Sequence, residues 1–139
     1  MTVQRILNAQ QNRTTAYIAP DAVIADVLHS LAFEDVGALV VSSDGSVVEG
    51  IISERDIVRG LRRIGPDLLN KPVRDLMTAK VLTCALDYRA AGIMALMVSR
   101  HVRHLPVVTD GKLVGMVSVH GLLHLRLEEV RSEAEAMRK

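Results

Sequence analysis

The run Ser53-Glu54-Arg55-Asp56 puts a hydroxyl three residues ahead of a carboxylate, at the point where an apolar run gives way to a helical pattern. That spacing supports two kinds of chemistry. One is internal: Ser53 accepts from the amide of Asp56 while Asp56 reaches back to the amide of Ser53, a capping box that closes a helix N-terminus. The other is external: the amides and dipole of a helix start favour a phosphate, and a carboxylate beside them takes both hydroxyls of a ribose. A related run recurs as Ser118-Val119-His120-Gly121. There Gly121 replaces the carboxylate and can neither bind a diol nor complete a capping box.

The densest basic cluster is Arg100-His101-Val102-Arg103-His104, at a strand entrance whose counterpart, Glu34-Asp35-Val36-Gly37-Ala38, is acidic or neutral. A solvated turn accounts for such a cluster. Strand alternation would also send Arg103 and His104 to opposite faces, so that one segment serves two clefts. His120 and His124 sit at i and i+4, a metal-ligand spacing, but no Glu follows His120 as in a zinc protease and no third ligand is evident. Gly45 to Gly50 has the outer glycines of a phosphate loop, with Ile51 and Ile52 where Lys and Ser or Thr belong. The chain has no Gly-x-Ser-x-Gly elbow, dinucleotide glycine fingerprint or paired-carboxylate cluster, which weighs against an enzyme. Tyr17, Phe33 and Tyr88 are its only aromatics, too few for a base-stacking platform, so nucleic acid is an unfavoured partner.

These residues are carried by a stretch that occurs twice, over 36–57 and 102–122. Leu39 and Asp44-Gly45 fall on Leu105 and Asp110-Gly111, 66 positions later, and Gly50 and Ser53 fall on Gly115 and Ser118, 65 positions later. Each copy is an apolar run, an Asp-Gly and a second apolar run, which predicts a β-hairpin with a tight turn. The repeat begins earlier still, since Val3, Ile6 and Leu7 recur 70 positions on as Val73, Leu76 and Met77. Thr15 to Ala19 and Val81 to Ala85 are strand-like, each followed by an Asp, Asp21 or Asp87, suited to capping the next helix. Val23, Ile24, Val27, Leu28 and Leu31 lie on one face of that helix, and Ile93, Met94 and Met97 repeat the last three.

A further helix is expected over about 54–64 and from about 119 onward, with Gly65 to Pro72 as a linker. Each half therefore reads strand, helix, strand, strand, helix, in a mixed α/β (α+β) fold. Neither half buries enough apolar surface alone, so the two should pack sheet to sheet. Leu123, Leu127, Val130, Ala134 and Met137 form a narrow coiled-coil-like seam that needs a partner surface, which points to a homodimer.

The chain has 139 residues, about half of them apolar, enough for one real core. Seventeen basic against sixteen acidic residues leave no overall field to attract nucleic acid or an anionic membrane. The N-terminus lacks a signal-peptide apolar core, and the longest apolar run, Ala90 to Val98, is too short to cross a bilayer. A cytoplasmic protein without a membrane partner is expected. Cys84 is alone, which excludes an internal disulfide and suits a buried strand thiol.

Four stretches carry a family resemblance: Gly50-Ile51-Ile52-Ser53-Glu54-Arg55-Asp56-Ile57-Val58, Val73-Arg74-Asp75-Leu76-Met77-Thr78, Arg103-His104-Leu105-Pro106-Val107-Val108 and Gly115-Met116-Val117-Ser118. In this order, within a duplicated chain, they resemble a cystathionine β-synthase (CBS) domain pair, or Bateman module, of the small free-standing bacterial kind. The resemblance implies tandem β-α-β-β-α motifs packed about a pseudo-two-fold axis: 1–64 the first, 65–72 the linker, 73–126 the second and 127–139 a C-terminal helix extension. It also implies regulation rather than catalysis, with no required cofactor. Its two clefts would bind an adenosine ligand such as AMP, ATP, NAD or S-adenosylmethionine, changing conformation or affinity for an unknown regulated protein. By position, Ser53, Arg55 and Asp56 join the ligand site, with Asp56 on the ribose and the backbone of Thr78, Ala79, Lys80 and Val81 edging the adenine. Arg103 and Ser118 would meet the phosphate, His104 would face the other cleft, and Pro106 and His120 complete the implied set. Gly121 departs from the family's Asp, and Leu86 from its usual Pro. The other functional reading is a metal- or nucleic-acid-binding regulator built on Arg100 to His104.

Overall fold

In the computed structural model, which describes residues 1–10 and 15–138, the first half holds α1 (Val3–Ala9), β1 (Tyr17–Ile18), α2 (Ile24–Glu34), β2 (Ala38–Val41), β3 (Gly50–Ser53) and α3 (Glu54–Ile64). Two 3₁₀ turns, Pro66–Asn70 and Val73–Asp75, lead to α4 (Ala90–Arg100), β4 (His104–Thr109), β5 (Lys112–Ser118) and α5 (Val119–Arg138). β2 pairs in parallel with β1 and antiparallel with β3, and β4 pairs antiparallel with β5.

Where the second half should repeat β1, only Cys84 pairs, in parallel with Val107. Its amide donates to the Pro106 carbonyl at 3.0 Å and its carbonyl accepts from Val108 at 2.9 Å. The strand expected over 81–85 thus shrinks to one residue, whose partner Val107 stands where the β4–β5 register shifts.

The second hairpin turns as expected, with Asp110 (φ 52°) and Gly111 (φ 76°) both left-handed between β4 and β5. The first does not. β2 ends at Val41 and β3 starts at Gly50, so Asp44-Gly45 lies inside a longer loop. Asp44 Oδ1 accepts from the amides of Ser46 (2.8 Å) and Val47 (3.0 Å) and from the Ser42 hydroxyl (3.1 Å), which holds its carboxyl below the usual range. Side-chain acceptors thereby take amides that a tight turn would give to the ladder.

Asp21 and Asp87 do not cap. α2 and α4 start after Val23 and Arg89, neither with a side-chain cap bond, and Asp21 is paired with Arg74 instead. The amide of Ile24 is met by the Lys71 carbonyl (3.0 Å), and that of Ala90 by the Met1 carbonyl (2.9 Å). The backbone leading into each half therefore caps the first long helix of the other.

The cores follow the same exchange. Val3 and Ile6 of α1 are fully buried with Ile93, Leu105, Val117 and Leu122 of the second half. Leu68 and Val73 are buried with Ile24, Val27, Leu39, Ile52 and Ile57 of the first. The leading segment of each half is thus buried in the core of the other, and α5 runs unbroken from Val119 to Arg138. Leu39 and Val41 face the first core, so alternation turns Ala38 and Val40 to the other face of the sheet, where both are buried. Pro106, between Leu105 and Val107, is buried likewise. These covered second faces are what two halves packed sheet to sheet require, and the Leu113 amide ties the hairpins by donating to the Ser46 carbonyl at 2.7 Å.

Candidate functional site

At the start of α3 the capping box is formed. The Asp56 amide donates to Ser53 Oγ at 3.2 Å, and the Ser53 amide donates back to Asp56 Oδ2 at 2.9 Å. The Ser53 hydroxyl reaches the same oxygen at 3.0 Å. Among the described residues, hydrogen bonds to this carboxylate end on Oδ2, so Oδ1 is left for an incoming donor on a half-buried side chain. Both readings of the Ser53 to Asp56 spacing are therefore compatible in one geometry.

Alongside runs Thr78-Ala79-Lys80-Val81. Thr78 and Ile51 exchange both backbone hydrogen bonds, at 3.0 and 2.9 Å, fixing the segment two residues before Ser53. Gly50 permits the approach, since a Cβ there would lie 2.6 Å from Met77 Sδ. Thr78, Ala79 and Lys80 are exposed and Val81 half-buried, while Arg55 is exposed on α3.

A second place is a cavity of about 700 Å³ with three walls. One is formed by Leu7, Asn8 and Gln10 at the end of α1 together with Thr15 and Ala16; another is the α2–β2 junction, Asp35 to Ala38. The third comes from the second half, with Arg103, His104, Met116, Ser118, Val119 and His120. Gln10 Nε2 donates to the Met116 carbonyl at 3.5 Å, and the Gly121 amide to Ser118 Oγ at 3.0 Å, half of a capping box. A volume of this order suits a small-molecule ligand.

Arg103 and His104 both line this cavity and are not parted between two clefts. β4 begins only at His104, so strand alternation does not reach Arg103, whose carbonyl accepts from the Val119 amide at 2.9 Å. Arg103 and Ser118, expected on the same ligand as Asp56, stand in the cavity that Asp56 does not line; Ser118 is the strand partner of His104 and shares its end of the sheet. Burial holds the His104 imidazole below its ordinary pKa of 6.5, Glu54 opposes the shift and Arg103 adds to it, so the ring is neutral near pH 7. Pro106 lies outside the cavity lining.

His124 meets Glu128 at 3.1 Å on the exposed side of α5. Among the described residues no group of three His, Cys, Asp or Glu side chains is gathered for a metal. The residues that reasoning from sequence passed over are Asn8, Gln10, Thr15, Asp35 and Gly37 in the cavity wall. Part of the signal was present: the 70-residue shift lays Asn8, Ala9 and Gln10 on Thr78, Ala79 and Lys80.

The family model for the CBS domain matches twice, at residues 12–63 and 73–128. A mitochondrial CBS domain-containing protein of Arabidopsis thaliana is 32% identical over 121 residues, 84% of this chain and 59% of that protein. The chain thus spans about three fifths of that relative's length. Among solved structures, a CBS-domain protein of Agrobacterium tumefaciens superposes with a TM-score of 0.86 at 31% identity, covering 91% of this chain and 99% of that one. A CBS domain protein of Pyrobaculum aerophilum, solved in complex with AMP, gives a TM-score of 0.76 at 24% identity over 87% and 89% of the two chains. Two motif matches in tandem, the exchanged cores and the two strand-to-helix junctions agree, and the chain belongs to the CBS-domain family as a CBS pair.

Proposed function

We propose that this protein is a cytoplasmic regulatory module whose Asp56 cleft binds an adenosine nucleotide such as AMP, ATP or NAD. Occupancy shifts its conformation or its affinity for a regulated protein, and it catalyses no reaction of its own. The observation that carries this is the junction at Ser53: a helix start with a half-buried carboxylate whose Oδ1 is left for a donor, beside a backbone segment that Gly50 lets approach closely. That combination suits a ribose diol next to a flat base. The AMP bound by the Pyrobaculum relative supports the ligand class. A ligand alters the module by binding one arrangement better than another.

A homodimer is part of the reading. Val58, Leu61 and Ile64 on α3 and Leu123, Leu127, Val130 and Met137 on α5 are all exposed, an apolar surface that a second copy would cover. The lone buried Cys84 suits a reducing compartment. A metal- or nucleic-acid-binding regulator built on Arg100 to His104 has less support, because Arg100, His101 and Arg103 are exposed while His104 turns inward against Gly37, so the five share no face.

Calorimetric titration of AMP, ATP and NAD into wild type and Asp56→Ala tests the function. Binding by wild type that Asp56→Ala weakens at least tenfold is expected. Absence of binding by any adenosine ligand, or an unchanged Asp56→Ala, would overturn it.

A further inference from the structure

The two strand-to-helix junctions are built alike except at one position. Asp56 and Gly121 both stand three residues after a capping serine, and the serine hydroxyl receives the third amide in each, at 3.2 and 3.0 Å. Only the first junction then offers a carboxylate. Yet the second opens onto the cavity of about 700 Å³, where the Arg103 guanidinium and the N–H donors of His104 and His120 line one wall. Its body is lined by Leu7, Val36, Met116 and Val119, and Asn8, Gln10 and Thr15 supply neutral donors and acceptors. Among the described lining residues the one carboxylate is Asp35, the left-handed cap at the end of α2, on a different wall from the α5 start.

We propose that the Gly121 cleft binds an adenine nucleotide without reading its ribose diol, through base and phosphate alone, so that it accepts 2′-deoxyribose and ribose nucleotides equally. This rests on the adenosine-nucleotide reading of the module and assigns the two clefts different specificities. Arg103 and His120 present the phosphate with donors at the mouth of α5. The carboxamide of Gln10 has the donor and acceptor that an adenine edge needs. At Asp56, loss of one ribose hydroxyl removes a charge-assisted hydrogen bond; at Gly121 there is no such bond to remove.

The position itself offers a gain-of-function test. A Cβ at Gly121 would lie 3.3 Å from Ser118 Oγ and 3.7 Å from Gln10 Nε2, both movable side-chain ends, and its φ is ordinary for a helix. Gly121→Asp therefore fits, and it places a carboxylate where the first junction has one.

The experiment is titration of AMP and 2′-deoxy-AMP into full-length Asp56→Ala, in which the first cleft is weakened and no longer reads the diol, and into Asp56→Ala/Gly121→Asp, with Asp56→Ala/Gly121→Ala as control. Dissociation constants within about threefold of each other are expected in Asp56→Ala and in the alanine control. The aspartate variant should prefer AMP by roughly tenfold or more. A tenfold preference for AMP already present in Asp56→Ala would overturn the inference, and its loss in Asp56→Ala/Asp35→Asn would move diol recognition to Asp35. Binding of AMP by wild type with none by Asp56→Ala would also overturn it while leaving the proposed function intact. Wild type that binds no adenosine ligand removes both.

Discussion

The imidazole of His104 lies against Gly37, so close that a Cβ there would come within 3.3 Å of both Cε1 and Nε2. A side chain of the second half thus occupies space that the first half leaves empty. Glu54, whose amide donates to the Gly37 carbonyl at 3.0 Å, feels the same ring electrostatically.

That placement sets a pH dependence. The folded pKa of His104 is depressed below 6.5, chiefly by burial, so between that lowered value and 6.5 the unfolded chain binds more protons than the native one. The contribution is fully present above pH 6.5 and is lost as pH falls through it. Thermal melts should show Tm falling between pH 7.5 and 5.5 by a smaller amount in His104→Gln than in wild type. Equal falls would show that His104 does not govern this window.

Ser53→Ala removes the acceptor of the Asp56 amide and one donor to Asp56 Oδ2. A loss of about 0.5 to 2 kcal/mol in urea unfolding is expected for a helix cap. Asp56→Ala should cost a similar amount, so its effect on ligand is to be read at a temperature well below both melting transitions.

Two glycines in helices should respond with opposite signs. A Cβ on buried Gly60 would meet Leu68 and Leu76 side chains at 2.8 and 2.9 Å, and overpacking of this kind destabilises by about 1 to 3 kcal/mol. Gly92, in α4, has nothing within 4 Å of its Cβ position, so Gly92→Ala should stabilise by about 0.5 to 1 kcal/mol. Denaturant midpoints of the two variants check both signs.

Burial pushes the Cys84 thiol up to about 11, and little of the residue is exposed. Since the thiolate is the reactive form, a chromogenic disulfide reagent should label native protein at pH 8 far more slowly than protein in 6 M guanidinium, about the strength that unfolds even hyperstable domains. Rapid native labelling would mean that the bridge between Cys84 and Val107 opens readily.

For assembly, light scattering at micromolar concentration should give a dimer, weakened by Leu127→Lys on α5 or Val58→Lys on α3, whichever helix the interface uses. A wild-type monomer would sink the dimer.

The order of the elements was legible because a duplicated pattern constrains itself. Leu39 and Leu105 lie in equivalent cores, and the 3.6-residue spacing of Ile24, Val27 and Leu31 becomes their burial. The Ser53 to Asp56 box came from residue types three apart, a purely local rule. What depended on distant backbone was not legible. Asp21 and Asp87 look like caps until the carbonyls of Lys71 and Met1 take the amides first, and no pattern within the helices announces those partners. The division of Arg103 from Asp56 escaped for the same reason, since it depends on the pairing of His104 with Ser118 across the second hairpin.

Because Val3 and Ile6 complete one core while Leu68 and Val73 complete the other, the chain has no place where it can be cut into two self-sufficient pieces. A fragment ending at Ile64 would carry an orphan arm and lack the plug for its own interior, and the remainder would suffer the reverse. A lone ancestral motif with the same arm could have closed its interior only by lending that arm to a sister molecule. Fusion of two such genes would turn a loan between chains into a clasp within one, and co-expressed fragments 1–64 and 65–139 should restore it by finding each other.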